Sequence, residues 1–233
     1  MKRVLVAGLI TLALLTGCES STRTSFYNDP DILYKKATTL NDADAQFALG
    51  CKYFWADDPN YKQDYVEARK WYEEAAKQGN VPALNNLGII YAQGKGVKPD
   101  YKKAIKYFEQ AAQSNFPNSQ RYLGYIYWQG LGGIPKDIDK AKMWFEKGAN
   151  QGDGKSIAGL ATIYILNDKN YPAGLKLLKD ALKDNNPEVQ TLMGALYYNG
   201  TAVPKNINEA RKYFDLACKN GFQKGCELLI DIK

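Results

Sequence analysis

The chain repeats itself, and this constrains its fold more than any single motif. Five segments align on a small residue followed three positions later by tyrosine: Gly50 with Tyr53, Gly88 with Tyr91, Gly124 with Tyr127, Ala161 with Tyr164, and Gly194 with Tyr197. The spacings between successive small residues are 38, 36, 37 and 33. A period of this length marks stacked supersecondary units, none of which can bury its apolar face alone. Each segment runs on to a polar residue (Asp64, Asp100, Asp137 or Asn206) and then to an aromatic pair such as Trp71-Tyr72, Tyr107-Phe108, Trp144-Phe145 or Tyr213-Phe214. In this second half the apolar residues recur at i, i+3, i+4 and i+7, as in Ala104, Tyr107, Phe108 and Ala111, which predicts a helix. The polar residue before it is an N-cap. Gly79, Gly152 and Gly221 follow it where positive φ is needed. Each unit therefore reads as two antiparallel helices. The repeated small residue lets their backbones approach, and the aromatic pair fills the space between repeats. In the degenerate fourth unit Ala161 replaces the glycine, the loop is short, and Ala173 and Ala181 hold the second helix.

The pattern resembles the Sel1-like repeat family, relatives of tetratricopeptide repeats. The residues that carry the likeness are Leu87-Gly88-x-x-Tyr91, the loop Gly94-x-Gly96-Val97, Asp100-x-x-x-Ala104, and Trp71-Tyr72 ahead of Ala75-Ala76-x-x-Gly79. The resemblance implies an all-α fold, a right-handed α/α solenoid of helix pairs. Residues 30–40 align with a second helix and residues 223–232 with a first helix. The expectation over residues 31–233 is therefore five repeats between two half-repeat caps: twelve helices in one solenoid, with a concave face lined by the first helices.

The N-terminus reads as a targeting segment. Lys2 and Arg3 precede an apolar run, Val4 to Leu15, that is too short to span a membrane. Leu15-Thr16-Gly17-Cys18 then resembles the bacterial lipoprotein signal. That resemblance implies removal of residues 1–17, two acyl chains on the Cys18 sulfur and a third on the new amino terminus, enough for stable anchoring. An ordinary signal peptide with an incidental cysteine is the alternative. Glu19, rather than Asp, follows the cysteine, which favours the outer membrane with the chain facing the periplasm. Residues 18–30, rich in Ser, Thr and Asn, form a solvated tether. Loss of residues 1–17 leaves 29 basic against 25 acidic residues, a balance too mild to point to nucleic acid.

Four cysteines fit an oxidising compartment. Cys18 goes to lipid. Cys218 ends one helix and Cys226 begins the next, so a turn between them could bring the pair within disulfide range; two buried thiols are the alternative. The spacing also matches cysteine-rich Sel1-like proteins in which each repeat carries such a staple. Cys51 is left over, either as a reactive or intermolecular thiol or as a small apolar residue packed beside Gly50.

The chain contains no histidine. That removes Ser-His-Asp and Cys-His nucleophiles, His-based zinc sites and His general bases. Some relatives are linked to penicillin binding or β-lactam hydrolysis, chemistry that needs Ser-x-x-Lys. No serine here has lysine three residues on, and Lys-Thr-Gly is absent. Asp42/Asp44 and Asp57/Asp58 have the pattern of turn and cap residues. No catalytic residue, metal or cofactor is expected, and an enzyme acting on peptidoglycan or β-lactams is the weaker alternative.

A binding function would use the first helices. The expected partner-binding residues are Phe54, Trp55, Arg121, Tyr125, Trp128, Gln129 and Tyr198. Tyr, Trp and Arg dominate protein interfaces, and a helix or loop could lie in the groove; packing between repeats is the other use for these rings. Two roles compete: an immunity-type lipoprotein that caps a secreted effector, and a scaffold or regulator of an envelope complex.

Overall fold

The computed structural model describes residues 29–56 and 58–232. The signal segment, Cys18, most of the tether and Asp57 lie outside the described residues. Among the described residues there are twelve α-helices and no strand. The chain divides into two compact units, with residues 29–136 in one and 137–232 in the other.

The first unit holds α1 (Pro30–Thr39), α2 (Ala43–Trp55), α3 (Tyr65–Lys77), α4 (Val81–Gln93), α5 (Tyr101–Gln113) and α6 (Pro117–Gln129). The second holds α7 (Ile138–Ala149), α8 (Gly154–Thr162), α9 (Tyr171–Ala181), α10 (Pro187–Asn199), α11 (Ile207–Lys219) and α12 (Gln223–Asp231). Within each unit every helix packs on its neighbours in sequence, as an array of stacked pairs requires.

Side chains set the helix boundaries. Asp64, Asp100, Asp137 and Asn206 cap the second helices of their pairs, and each carboxylate or amide oxygen accepts from backbone amides at 2.9–3.1 Å. The amides of these caps also close the loop before them. Asp64, Asp100 and Asn206 donate to the carbonyls of Tyr53, Tyr91 and Tyr197 at 2.8–2.9 Å. The repeated tyrosine thus lends its backbone to the turn and its ring to the stack: Tyr91 lies on Tyr107 at 5.6 Å and Tyr197 on Tyr213 at 5.8 Å. Gly79, Gly152 and Gly221 end second helices with φ near +80°. Asn115 and Asn185 take that place elsewhere, asparagine being the residue that best tolerates a left-handed turn after glycine.

The small residues work through one recurrent contact. A β-carbon at Gly50 would meet the Tyr72 ring at 2.5 Å, one at Gly88 the Phe108 ring at 2.5 Å, and one at Gly194 the Phe214 ring at 2.6 Å. In each of these three pairs a ring of the second helix packs directly on the first helix at its glycine. The other side of the ring meets the next pair: Tyr122 stacks on Phe108 at 4.9 Å, and Gly159 backs onto Phe145. In the fourth pair, Leu178 of α9 replaces the ring. Ala161 stands where glycine does elsewhere and shares one buried cluster with Leu178; the close approach in this pair is made by Gly174 of α9, where a β-carbon would lie 3.1 Å from the Ala161 carbonyl oxygen. Here α8 also runs on into a π-turn, Ile163–Asn167, which accommodates the short loop.

The C-terminal end of the array is tied down. Cys218 and Cys226 are joined by a disulfide, with their Cα atoms 4.6 Å apart, linking α11 to α12. Arg211 donates to the Ile232 carbonyl at 2.7 Å.

Gly88→Ala should destabilise the protein by about 1–2 kcal/mol: overpacking costs about 1–3 kcal/mol, while the helix-propensity gain is at most about 1 kcal/mol. Phe108 has no free side to yield into. In a double-mutant cycle read by urea unfolding, Phe108→Leu should cost less in the Gly88→Ala background than alone, reproducing the Ala161/Leu178 arrangement. Additive losses would show that the ring does not hold the glycine.

Candidate functional site

First and second helices are buried to very different extents. In α2, α4 and α6, nine of thirteen residues are buried, and in α10 eight of thirteen. The second helices α3, α7 and α11 bury only three residues each. First helices are therefore enclosed around most of their circumference.

This corrects the expected binding face. Phe54, Arg121, Tyr125 and Trp128 are only 5%, 2%, 1% and 6% exposed. Their surroundings explain it in part. The Phe54 ring packs on Tyr65 at 4.9 Å, and the Arg121 guanidinium lies 5.5 Å from the Tyr122 ring. A stripe beside the core stripe on such a helix is itself interior. Trp55, Gln129 and Tyr198 keep accessible surface, and all three stand at the C-terminal tips of first helices. Trp55 and Gln129 belong to the first unit and Tyr198 to the second. Lys205 places its ammonium 5.9 Å from the Tyr198 ring.

The loop after Trp55 is pinned by charge. Lys52 is buried and pairs with Asp58 at 3.1 Å. The Asn60 amide, donating at 2.9 Å, and then the Lys52 ammonium hold the Asp58 carboxyl below its ordinary range.

A buried polar seam crosses the pairs of the first unit. The Ser119 hydroxyl donates to Asn85 Oδ1 at 3.0 Å, Asn85 Nδ2 donates to Asn86 Oδ1 at 3.2 Å, and Asn86 bonds the Tyr72 hydroxyl. Tyr72 in turn donates to Cys51 Sγ at 3.5 Å. Burial pushes the Tyr72 hydroxyl far above its usual range, so it stays protonated and donating. Cys51 is buried in the core and held in a disulfide, so it is neither a free thiol nor simply a small apolar residue. Two adjacent asparagines in an otherwise apolar helix were the sequence signal for this seam. Among the described residues no group of three or more His, Cys, Asp or Glu side chains is placed to hold a metal ion, and no helix is long and apolar enough to cross a membrane.

The family model described as Sel1 repeat matches residues 43–80, 81–116, 117–153 and 187–222. The matches start at or beside the first helices α2, α4, α6 and α10 and pass over the fourth pair. No curated protein matches the chain. Several solved structures share the fold. The protective antigen c5321 of uropathogenic Escherichia coli is 24% identical with a TM-score of 0.72, covering 97% of this chain and 51% of its own. The chain thus spans about half the length of c5321. A Sel1 repeat protein from Oxalobacter formigenes is 23% identical with a TM-score of 0.71, covering 92% of this chain and 85% of its own. Immunity protein Pa5087 from Pseudomonas aeruginosa is 18% identical with a TM-score of 0.57, covering 91% of this chain and 74% of its own.

Asp58 contributes stability that is complete above its unfolded pKa of about 3.9 and is lost as pH falls through its lower folded value. Asp58→Asn should therefore flatten the fall in urea midpoint between about pH 4 and pH 2; an unchanged slope would remove Asp58 from the acid response. Trp128→Ala should cost about 3–5 kcal/mol in urea unfolding, whereas Trp55→Ala should cost less than about 1 kcal/mol. Equal costs would contradict the difference in burial.

Proposed function

The chain belongs to the Sel1 repeat family, and from that membership we propose that it binds another protein, as a lipid-anchored component of the bacterial envelope facing the periplasm. The observation that carries the binding role is the placement of Trp55, Gln129 and Tyr198. On first helices that are otherwise enclosed, these side chains keep accessible surface at the helix tips, while one edge of Trp55 packs on Phe54 and one side of Tyr198 packs on the core. Large amphipathic rings at such edges are what protein interfaces use as anchors.

Between the two roles, an immunity-type inhibitor of a secreted effector is favoured over a scaffold. Supporting it is the fold shared with Pa5087, and with immunity protein PA5088 of the same organism at 17% identity and a TM-score of 0.51. The anchor reading is supported by Leu15-Thr16-Gly17-Cys18 after a basic and apolar leader. A neutraliser held at the membrane meets its target on arrival.

The partner is to be captured from solubilised membranes and tested as a purified protein, starting with the product of any adjacent effector gene. Trp55→Ala with Gln129→Ala should weaken its binding about tenfold, roughly 1.4 kcal/mol, with unchanged helicity by circular dichroism. Full binding by this variant would remove the first-unit tips from the interface. Mass spectrometry of the N-terminal peptide should show residues 1–17 gone and Cys18 acylated. A retained leader, or a Cys18 sulfur joined to Cys51, would overturn the anchor, because one sulfur cannot form both a thioether and a disulfide.

A further inference from the structure

Surface lysines on the second helices are mostly paired with a neighbouring acid. Lys70 pairs with Glu67 and Lys77 with Glu74 on α3, Lys140 with Asp137 at the start of α7, and Lys212 with Glu209 and Lys219 with Asp215 on α11. Helix α9 departs from this rule at Lys176 and Lys179, and helix α5 departs from it along its whole length. Helix α5 has no acidic residue in its first turn. Lys98, Lys102 and Lys106 are exposed and, among the described residues, have no carboxylate within ion-pair distance. Between residues 95 and 136 the sequence has six lysines against two acids, Asp100 and Glu109.

The surface beneath these lysines is shaped. A cavity of about 700 Å³ is lined by Tyr91, Pro99 and Tyr101 together with Lys98, Lys102 and Lys103. A second, of about 400 Å³, shares Lys102 and Lys103 and continues to Lys106, Tyr107 and Gln110. The nearby acids are already engaged or lie elsewhere. Asp100, which lines both cavities, accepts from the Lys103 amide at 2.9 Å as the helix cap, Glu73 accepts from the Tyr91 hydroxyl at 3.2 Å, and Glu109 lines neither cavity. Lys103 donates to the Tyr91 hydroxyl at 2.7 Å, which fixes its ammonium at the join of the two cavities.

We propose that this face of α5 is a docking track for an extended acidic segment of a partner protein. The track is elongated. Lys102 and Lys106 are one helical turn apart, about 6 Å along the axis. Alternate residues of an extended chain are about 6.6–7 Å apart on one side. Carboxylates at every second position of such a segment therefore meet these ammonium groups in succession, and the segment's backbone passes over Tyr101 and Tyr107. A single phosphate or lipid headgroup would instead need donors converging on one point. This track lies on second-helix surface and is separate from the first-helix tips proposed above.

The test uses a fluorescein-labelled (Glu-Ser)4 peptide titrated into the purified protein at low and moderate salt, read by fluorescence anisotropy. Saturable binding is expected, weakening as salt screens the charges and absent with a (Gln-Ser)4 peptide. Lys102→Glu with Lys106→Glu should weaken it at least fivefold. Lys70→Glu with Lys77→Glu on α3, an equal change in net charge, should leave it unchanged. Equal loss in both variants would reduce the effect to net charge and overturn the track. Displacement of the peptide by millimolar glycerol 1-phosphate or inorganic phosphate would overturn it in favour of a phosphate-bearing ligand.

Discussion

An aromatic ring packed against a glycine holds the first, second and fifth helix pairs together. The contact needs both partners. Without the glycine the ring has no floor, and without the ring the close approach of two backbones leaves a void. Burying a Tyr or Phe in this way removes a large apolar area from water, and the contact recurs at Tyr72, Phe108 and Phe214. Each ring's second side is available to the following pair, as with Tyr122 on Phe108. The same ring thus supplies the packing within a pair and the adhesion between pairs, which is why one unit alone could not persist.

That economy has a consequence for function. First helices sit between their own second helix and the neighbouring pairs, so most of their residues are enclosed. Surface capable of recognising anything else is left at helix tips and on the outer faces of second helices. On those outer faces most lysines pair with an acid; among the described residues Lys176 and Lys179 of α9 do not, and on α5 no lysine does. A solenoid of nearly uniform pairs acquires individuality at such departures: the unpaired lysines of α5, the π-turn and Leu178 of the fourth pair, and the disulfide between α11 and α12.

Much of the architecture was legible before any coordinates. The glycine period, the N-cap aspartates and the glycines after the second helices are local signals, each tied to a backbone requirement that one residue type meets best. They give the number of helices, their pairing and their boundaries to within a residue or two. The Cys218–Cys226 link was legible because a tight turn between antiparallel helices leaves little freedom. The Ala161 substitution was visible, but its setting, beside Leu178 in place of a ring, required both helices together. The binding face was misread at Phe54, Arg121, Tyr125 and Trp128, because helical periodicity marks which side of a helix is apolar and not how many neighbours surround it.

The sequence by itself determined the helix pair, its repetition and its capping, since these follow from turn geometry and from apolar spacing along a single helix. Only the tertiary structure decided which aromatic residues are walls and which are surface, and which lysines lack a partner. Exposure and ion pairing depend on atoms brought close from distant parts of the chain. Trp55 and Trp128 are both tryptophans at the ends of first helices. One keeps solvent-accessible surface and the other is enclosed: Trp55 stands five residues after Gly50 and Trp128 four after Gly124, so the register sets the side each ring takes, and the neighbouring helices decide how far that side is enclosed.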